Sequence, residues 1–282
     1  MSGFAPDWLK LREPVDHRSR DFALAAKLAG HFADRDEMTI FDLGAGLGSN
    51  LRGTCEALPA RQRWILVDHD PRLLEAARDV IAEWADSAQR TADGLEATRG
   101  GRTLAIEFRQ HDLAADPAPW FSVKADLVTA AALFDLVSEE WIGRFTRALA
   151  RSRLPFYTVL THDAETRWLP PHLADAAMKA AFESHFGGDK GFGASVGGRA
   201  PAMIGDALTD SGYAVERAPS PWLLGAGDKP LIAALAEGWA GAVRETGAVP
   251  DPLIEDWRAA RAGGATTCIV GHEDLLALPR SR

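Results

Sequence analysis

Residues 39–52 read Thr-Ile-Phe-Asp-Leu-Gly-Ala-Gly-Leu-Gly-Ser-Asn-Leu-Arg, and this stretch decides the fold. An apolar run with one acid, Asp42, breaks into Gly44, Gly46 and Gly48 and then opens a helical pattern. Glycine costs backbone entropy wherever it sits, so three together suggest that something approaches the main chain closely. A glycine-rich turn also serves as a plain strand-to-helix connection, and the motif alone leaves both readings open.

Outward from that turn, strand and helix patterns alternate. Upstream, Phe22, Ala25, Leu28 and Phe32 recur at helical spacing, with Pro14 read as a helix start. Downstream, "RWILVD" is a second strand, followed by a helix carrying Leu73, Leu74, Ala77 and Val80. "TLAIEFRQHD", "ADLVTAAALF" and "LPFYTVLTHD" continue the strands, and "TTCIVGHEDLLALP" closes the sheet after a helical stretch near 229–262. Continuously apolar strands alternating with helices predict a parallel sheet covered on both faces. Ligands of such sheets bind beyond the carboxyl ends of the strands. Helical segments at about 1–35, 164–200 and 229–262 fall outside the alternation and read as a cap over one domain spanning 1–282. Within it, "GGDKGFGASVGGRAP" is glycine-rich enough for a mobile lid.

Composition narrows the function. The 282 residues are 46% hydrophobic and 25% charged, as in an ordinary globular protein. A net charge of -9 without a Lys/Arg run argues against a nucleic-acid partner, which needs a basic face. No apolar run reaches bilayer length and the first thirty residues are charged throughout, so neither a membrane span nor a secretory signal is expected. Cys55 and Cys268 fit a reducing, cytoplasmic setting as small core fillers. The histidines and cysteines show no metal-ligand spacing, and no metal is expected.

The strand tips carry the chemistry. Asp68 ends the second strand in "VDHDP", where a carboxylate can accept hydrogen bonds from both hydroxyls of a ribose. Asp112 ends the third in "RQHD", placed to accept from an adenine amino group. Each acid also has a local use, as helix cap or turn residue, although Asp70 before Pro71 fits the cap better than Asp68.

In order, "FDLGAGLGSN", "VDHDP" and "HDL" resemble the class I S-adenosylmethionine-dependent methyltransferases over Thr39–Asp163. The resemblance implies a Rossmann-like α/β fold of seven mostly parallel strands, the last antiparallel, with helices on both faces and a helical cap. It implies S-adenosylmethionine as cofactor and a small-molecule acceptor. By that resemblance Asp42 braces the glycine loop, and Gly44, Ala45, Gly46 and Asn50 surround the methionine part. Asp68 and His69 hold the ribose, Asp112 and Leu113 meet adenine, and Ala131 lies near the sulfonium. The helical insertion before the last strand departs from the short link of many small-molecule members.

A dinucleotide site competes for the same glycines, but it favours G-x-G-x-x-G, and Ser49 stands where the third glycine belongs. A cofactor-binding regulator without turnover, or other sulfonium chemistry at the same loop, stays open. Methyl transfer needs alignment and exclusion of water, and a base only if the acceptor must lose a proton. Past the strand tips, Asp135 and the pair His162 and Asp163 are the catalytic candidates. Arg18 (with His17), His185, Lys190 and Phe192 are candidates to line the acceptor's route, each with a solvent-exposed role as the alternative. Trp8, Trp168, Trp222 and Trp239 fall in the cap, as ligand wall or as core. The chain does not decide the acceptor atom, nor whether it forms a homodimer.

Overall fold

A computed structural model describes residues 5–263 and 266–280; the first four residues of the N-terminal cap segment lie outside it. The chain runs α1 (Pro6–Ser19), α2 (Phe22–His31), β1 (Glu37–Leu43), α3 (Ser49–Thr54), β2 (Arg61–Asp68), α4 (Pro71–Trp84), β3 (Ser87–Arg90), β4 (Gly94–Arg99) and β5 (Arg102–Gln110). It continues β6 (Leu127–Ala131), α5 (Glu139–Ser152), β7 (Phe156–Leu169), α6 (Asp175–Phe186), α7 (Ala200–Asp210), β8 (Tyr213–Pro219), β9 (Trp222–Leu224), α8 (Lys229–Thr246), α9 (Asp251–Arg261) and β10 (Thr267–Pro279).

The sheet order is β3-β4-β5-β2-β1-β6-β7-β10-β8, with β9 pairing on β10. β1 pairs in parallel with both β2 and β6, β5 joins β2, and β7 joins β6 in the same sense. β10 runs antiparallel between β7 and β8. The architecture is the doubly wound, Rossmann-like sheet expected, with the order of strands reversing between β1 and β6. The seven expected strands are all present, and three more extend them. The β3–β4 hairpin lengthens one edge by antiparallel pairing onto β5, and β9 covers the start of β10.

Alternation along the central strands explains the two layers. Met38 and Ile40 of β1 and Trp64 and Leu66 of β2 bury toward α2, α4 and the cap. Phe41, Leu43, Ile65 and Val67 bury toward α5 and α7. α5 shows how sequence makes one element: Ser138 caps it by accepting from Trp141 N, and Glu139 and Glu140 meet the positive end of the helix dipole. Trp141, Ile142, Phe145 and Leu149 then recur as its buried stripe, and Trp141 stacks on Phe145 at 5.5 Å.

Two boundaries differ from the sequence reading. Pro14 does not start a helix; Pro6 does, and Pro14 sits inside α1, where it forfeits one backbone hydrogen bond. The helix expected from about 164 begins only at Asp175, because β7 runs on to Leu169 against β10. That long strand is bent by register shifts in β10 and by Leu160 (φ 58°) and Ala164 (φ 68°) in left-handed conformations.

The cap has a core of its own. Trp168, Trp239 and Trp257 meet at 5.2–6.0 Å between ring centroids, and Phe182 stacks on Trp239 at 4.2 Å. Buried Arg261 lies over Trp168 and Trp257, donates to Pro170 O at 2.6 Å and pairs with Asp175. Of the four cap tryptophans singled out, Trp168, Trp222 and Trp239 are therefore buried packing. No helix among the described residues is long and apolar enough to cross a membrane.

Candidate functional site

All three loop glycines adopt positive φ: 67° at Gly44, 53° at Gly46 and 75° at Gly48. Their surroundings divide them. A Cβ on Gly48 would lie 2.7 Å from Ile81 Cδ1, so this glycine lets α4 pack against the loop. Gly44 and Gly46 are the two that reach accessible surface, between buried Ala45, Leu47 and Gly48. Only side chains flank them: Leu133 at 3.3 Å from a Cβ on Gly44, and Leu9 of α1 at 3.4 Å from one on Gly46. At these two positions the main chain is flanked by side chains rather than by other backbone.

Polar groups beneath the loop fix it. Asn50 Nδ2 donates to Asp42 Oδ1 at 2.7 Å and to Thr129 Oγ1 at 3.0 Å, and Thr54 Oγ1 donates back to Asn50 Oδ1 at 3.2 Å. Asn50 is buried in this brace beneath the loop. Asp42 is fully buried, and desolvation pushes its carboxyl up to about 7 against the lowering effect of the Asn50 hydrogen bond.

Asp68 shares the bracing. Its Oδ2 accepts from Gly46 N at 2.9 Å, its Oδ1 accepts from Asp70 N at 3.0 Å, and His69 Nδ1 lies 3.3 Å away. Each carboxylate oxygen keeps a second lone pair. Asp70 caps α4, accepting from Arg72 N, which leaves Asp68 free of that duty. On the next tip, exposed Asp112 accepts from Ala114 N at 2.9 Å with one oxygen. Leu113 is buried, its carbonyl accepting from Trp141 Nε1 at 2.6 Å. Ala131 ends β6 half-buried, and Ala132 turns away with φ 51°.

α1 lies across this surface. Arg52 of α3 pairs with Glu13 at 2.5 Å and donates to Leu47 O at 2.7 Å, and His17 Nε2 sits 3.0 Å from Ser49 O. The loop is thus roofed by Leu9 and tied at Glu13 and His17. Arg18 points elsewhere, to Asp228 before α8 at 2.7 Å.

A second cluster forms beyond the end of β6, where β7 and β10 run on as paired strands. His162 and His272 are register partners whose rings lie 5.7 Å apart, and Trp222 packs on His272 at 5.0 Å. Asp135, in the turn after β6, is fully buried; desolvation raises its pKa, while His162 and Arg12 act in the opposite sense. Burial holds the His272 pKa well below the usual histidine value. Asp135 Oδ1, His162 Nδ1 and His272 Nδ1 are all buried without a hydrogen-bond partner, a costly arrangement. Beside His162 lies a cavity of about 180 Å³ walled by Phe182, Phe186, Ser195 and Val196.

The structure brings Asp135 to His162 and separates His162 from Asp163. Asp163 faces a groove on the other side of the sheet with Asp206, Arg217 and Glu273, and its Oδ1 accepts from Glu165 N. The glycine-rich stretch is pinned: Asp189 accepts from Gly191 N and Gly193 N, and Ser195 donates to Phe186 O. Phe192 packs edge-on against Trp141, Lys190 donates to His185 O, and His185 pairs with Glu245 of α8. None of the three lines the cavity, and neither does His272, which sequence reasoning passed over and which packs beside the His162 ring. The signal was there: "GHED" puts three polar residues into an otherwise apolar strand.

No family model and no curated protein sequence matches the chain. Among solved structures, it is similar to the YcgJ protein of Bacillus subtilis, at 13% identity and TM-score 0.50, covering 93% of this chain and all of that one. The cyclopropane synthase MmaA2 of Mycobacterium tuberculosis aligns at 15% identity and TM-score 0.48, over 97% and 94% of the two chains. A cyclopropane-fatty-acyl-phospholipid synthase-like protein of Lactobacillus casei aligns at 12% and 0.48, over 95% and 99%. The first of these likenesses shows a shared fold.

Proposed function

We propose that the chain binds S-adenosylmethionine on the Gly44–Gly46 main chain and transfers its methyl group to a small molecule. The observation that carries this reading is the division of labour in the loop. Two glycines leave bare backbone at the surface, while Asp68 holds the Gly46 amide and retains lone pairs for a ribose. A dinucleotide would need its pyrophosphate on the N-terminus of α3, a helix of six residues whose first residue, Ser49, is met by His17 of α1 at 3.0–3.1 Å.

In this reading the residues act in three ways. Gly44, Ala45 and Gly46 present the main chain to the methionine part, and Asp42 and Asn50 keep that chain in place from below. Asp68 and His69 take the ribose, Asp112 and Leu113 border the adenine, and Ala131 borders the sulfonium. α1 roofs the loop through Leu9 and α6 walls the cavity beside His162, and both exclude water, which aligns donor and acceptor. The cofactor, when bound, supplies an electrophilic methyl group. In the same reading residues 1–282 are one methyltransferase-like unit with its cap, working in a reducing, cytoplasmic setting, a reading that the buried, unpaired thiols of Cys55 and Cys268 support.

Isothermal titration tests the reading. S-adenosylmethionine and its demethylated product bind with one site per chain and NADH does not. Binding of NADH alone, or of none of the three, overturns it. Turnover is then sought with mixed small metabolites, and cofactor binding without transfer to any of them favours a regulator.

A further inference from the structure

We propose that the cavity beside His162 receives the methyl acceptor, and that this acceptor is a compact, uncharged hydroxyl compound of the phenol type whose proton passes to His162. The proposal rests on the reading above and names the substrate class of that site.

Size comes first. A cavity of about 180 Å³ holds roughly six waters' worth of volume, one ring with a small substituent. Its walls favour a ring: Phe182 and Phe186 stack with centroids 5.9 Å apart, and His162 meets Phe186 edge-on at 5.7 Å. Charge comes next. Glu183, the charged side chain on the cavity rim, lies 3.6 Å from Lys179, and Arg12, which faces the Asp135–His272 side, is held by Asp16 at 2.8 Å. An ionic acceptor would enter without a free counter-charge, whereas a neutral one loses little on desolvation.

Hydrogen-bonding capacity then selects the functional group. His162 Nδ1 is buried and unpartnered, and Nε2 is the ring nitrogen left accessible. A hydroxyl donates to Nε2, and His272 and the Asp135 carboxyl surround the imidazole where its positive charge develops. In the transfer, the acceptor O–H bond breaks and its proton goes to Nε2. The oxygen forms a bond to the methyl carbon as the carbon–sulfur bond breaks, and that electron pair stays on sulfur and cancels its positive charge. The positive charge thus passes from sulfur to the His162 imidazolium, beside Asp135.

Binding of phenol to the full chain without cofactor is the test, read by NMR of histidine rings and by titration. Phenol is expected to shift the His162 ring resonances and bind at least tenfold tighter than benzylamine. Phe186→Trp, which fills the cavity, is expected to lose phenol binding while keeping the parent's affinity for S-adenosylmethionine. His162→Gln is expected to lower kcat for phenol methylation at least 100-fold with little change in cofactor affinity. Tighter binding of benzylamine, phenol binding unaffected by Phe186→Trp, or full turnover in His162→Gln overturns the proposal. If S-adenosylmethionine binds and phenol does not, the acceptor assignment fails alone. If phenol binds and S-adenosylmethionine does not, the methyl-transfer reading fails and the assignment with it.

Discussion

Asp68→Asn separates a loop brace from a ribose ligand, because the structure assigns both oxygens. Oδ2 accepts from Gly46 N at 2.9 Å and Oδ1 from Asp70 N at 3.0 Å. Asparagine offers one oxygen, so either orientation sets its NH₂ against a main-chain N–H. The loss of one hydrogen bond to a charged group is worth about 1.5–3 kcal/mol. For a chain of this size that lowers Tm by roughly 3–5 °C and leaves the protein folded. The ribose hydroxyls would lose the same charged acceptor, so S-adenosylmethionine affinity falls by about 1–3 kcal/mol, roughly 5- to 150-fold. Thermal melting and isothermal titration on one preparation read both effects. Asp112→Asn is the control: its turn bonds use one carboxylate oxygen, which asparagine reproduces, so Tm is expected to hold. A variant Asp68→Asn that melts lower yet binds cofactor with the parent's affinity refutes the ribose assignment.

Other positions give independent checks. Gly46→Val is expected to abolish cofactor binding while the protein still folds, since a Cβ there meets only Leu9 at 3.4 Å and the left-handed backbone costs about 1–2 kcal/mol. Gly48→Ala should destabilise the fold more than Gly46→Ala, because its Cβ meets Ile81 Cδ1 at 2.7 Å and Cγ1 at 3.3 Å whereas the one on Gly46 meets only Leu9 at 3.4 Å; equal stability losses of these two alanine variants in urea denaturation would contradict the division between the glycines. Asp42 has its pKa raised to about 7 in the fold, so between about pH 4 and 7 the folded state holds a proton that the unfolded chain has released. Its contribution to stability therefore falls as pH rises through that window. Asp42→Asn, which can still accept from Asn50, should gain on the parent by up to about 1.4 kcal/mol per pH unit. A pH-independent difference in denaturation midpoints would contradict this. Burial pushes the Cys55 and Cys268 thiols up to about 11 and 12, so at pH 8 a thiol reagent should label them only as fast as the chain unfolds.

The sheet was legible in sequence wherever burial was continuous. "TIFDL" and "ILVD", like "DLVTAA" and "FYTVL", are apolar on both faces because helices cover both. The β3–β4 hairpin was missed because "SAQR" is wholly exposed and "GLEATR" buries little more than Leu95 and Ala97; pairing onto β5 makes these strands. The extension of β7 was missed for a related reason. "DAETR" looks like loop, yet its partner β10 holds it extended, and Ala164 absorbs the bend in a left-handed conformation.

At the site, the glycines and strand-tip acids were legible because chemistry restricts which residues can stand there. The partners of those residues were not. Nothing in "GSNLR" tells whether Asn50 faces a ligand or, as found, Asp42 and Thr129 beneath the loop. His162 paired in sequence with Asp163, but a strand sends neighbours to opposite faces, and its true companions come from residues 27 positions earlier and 110 later, Asp135 and His272.

The most direct measurement is a crystal structure of the chain soaked with S-adenosylmethionine. The account predicts the methionine part against Gly44 and Gly46, the ribose on Asp68, and the methyl group turned toward His162 with α1 closed above. Density for the cofactor away from the glycine loop, or against it with the ribose clear of Asp68 and the methyl turned from the His162 cavity, would contradict the account.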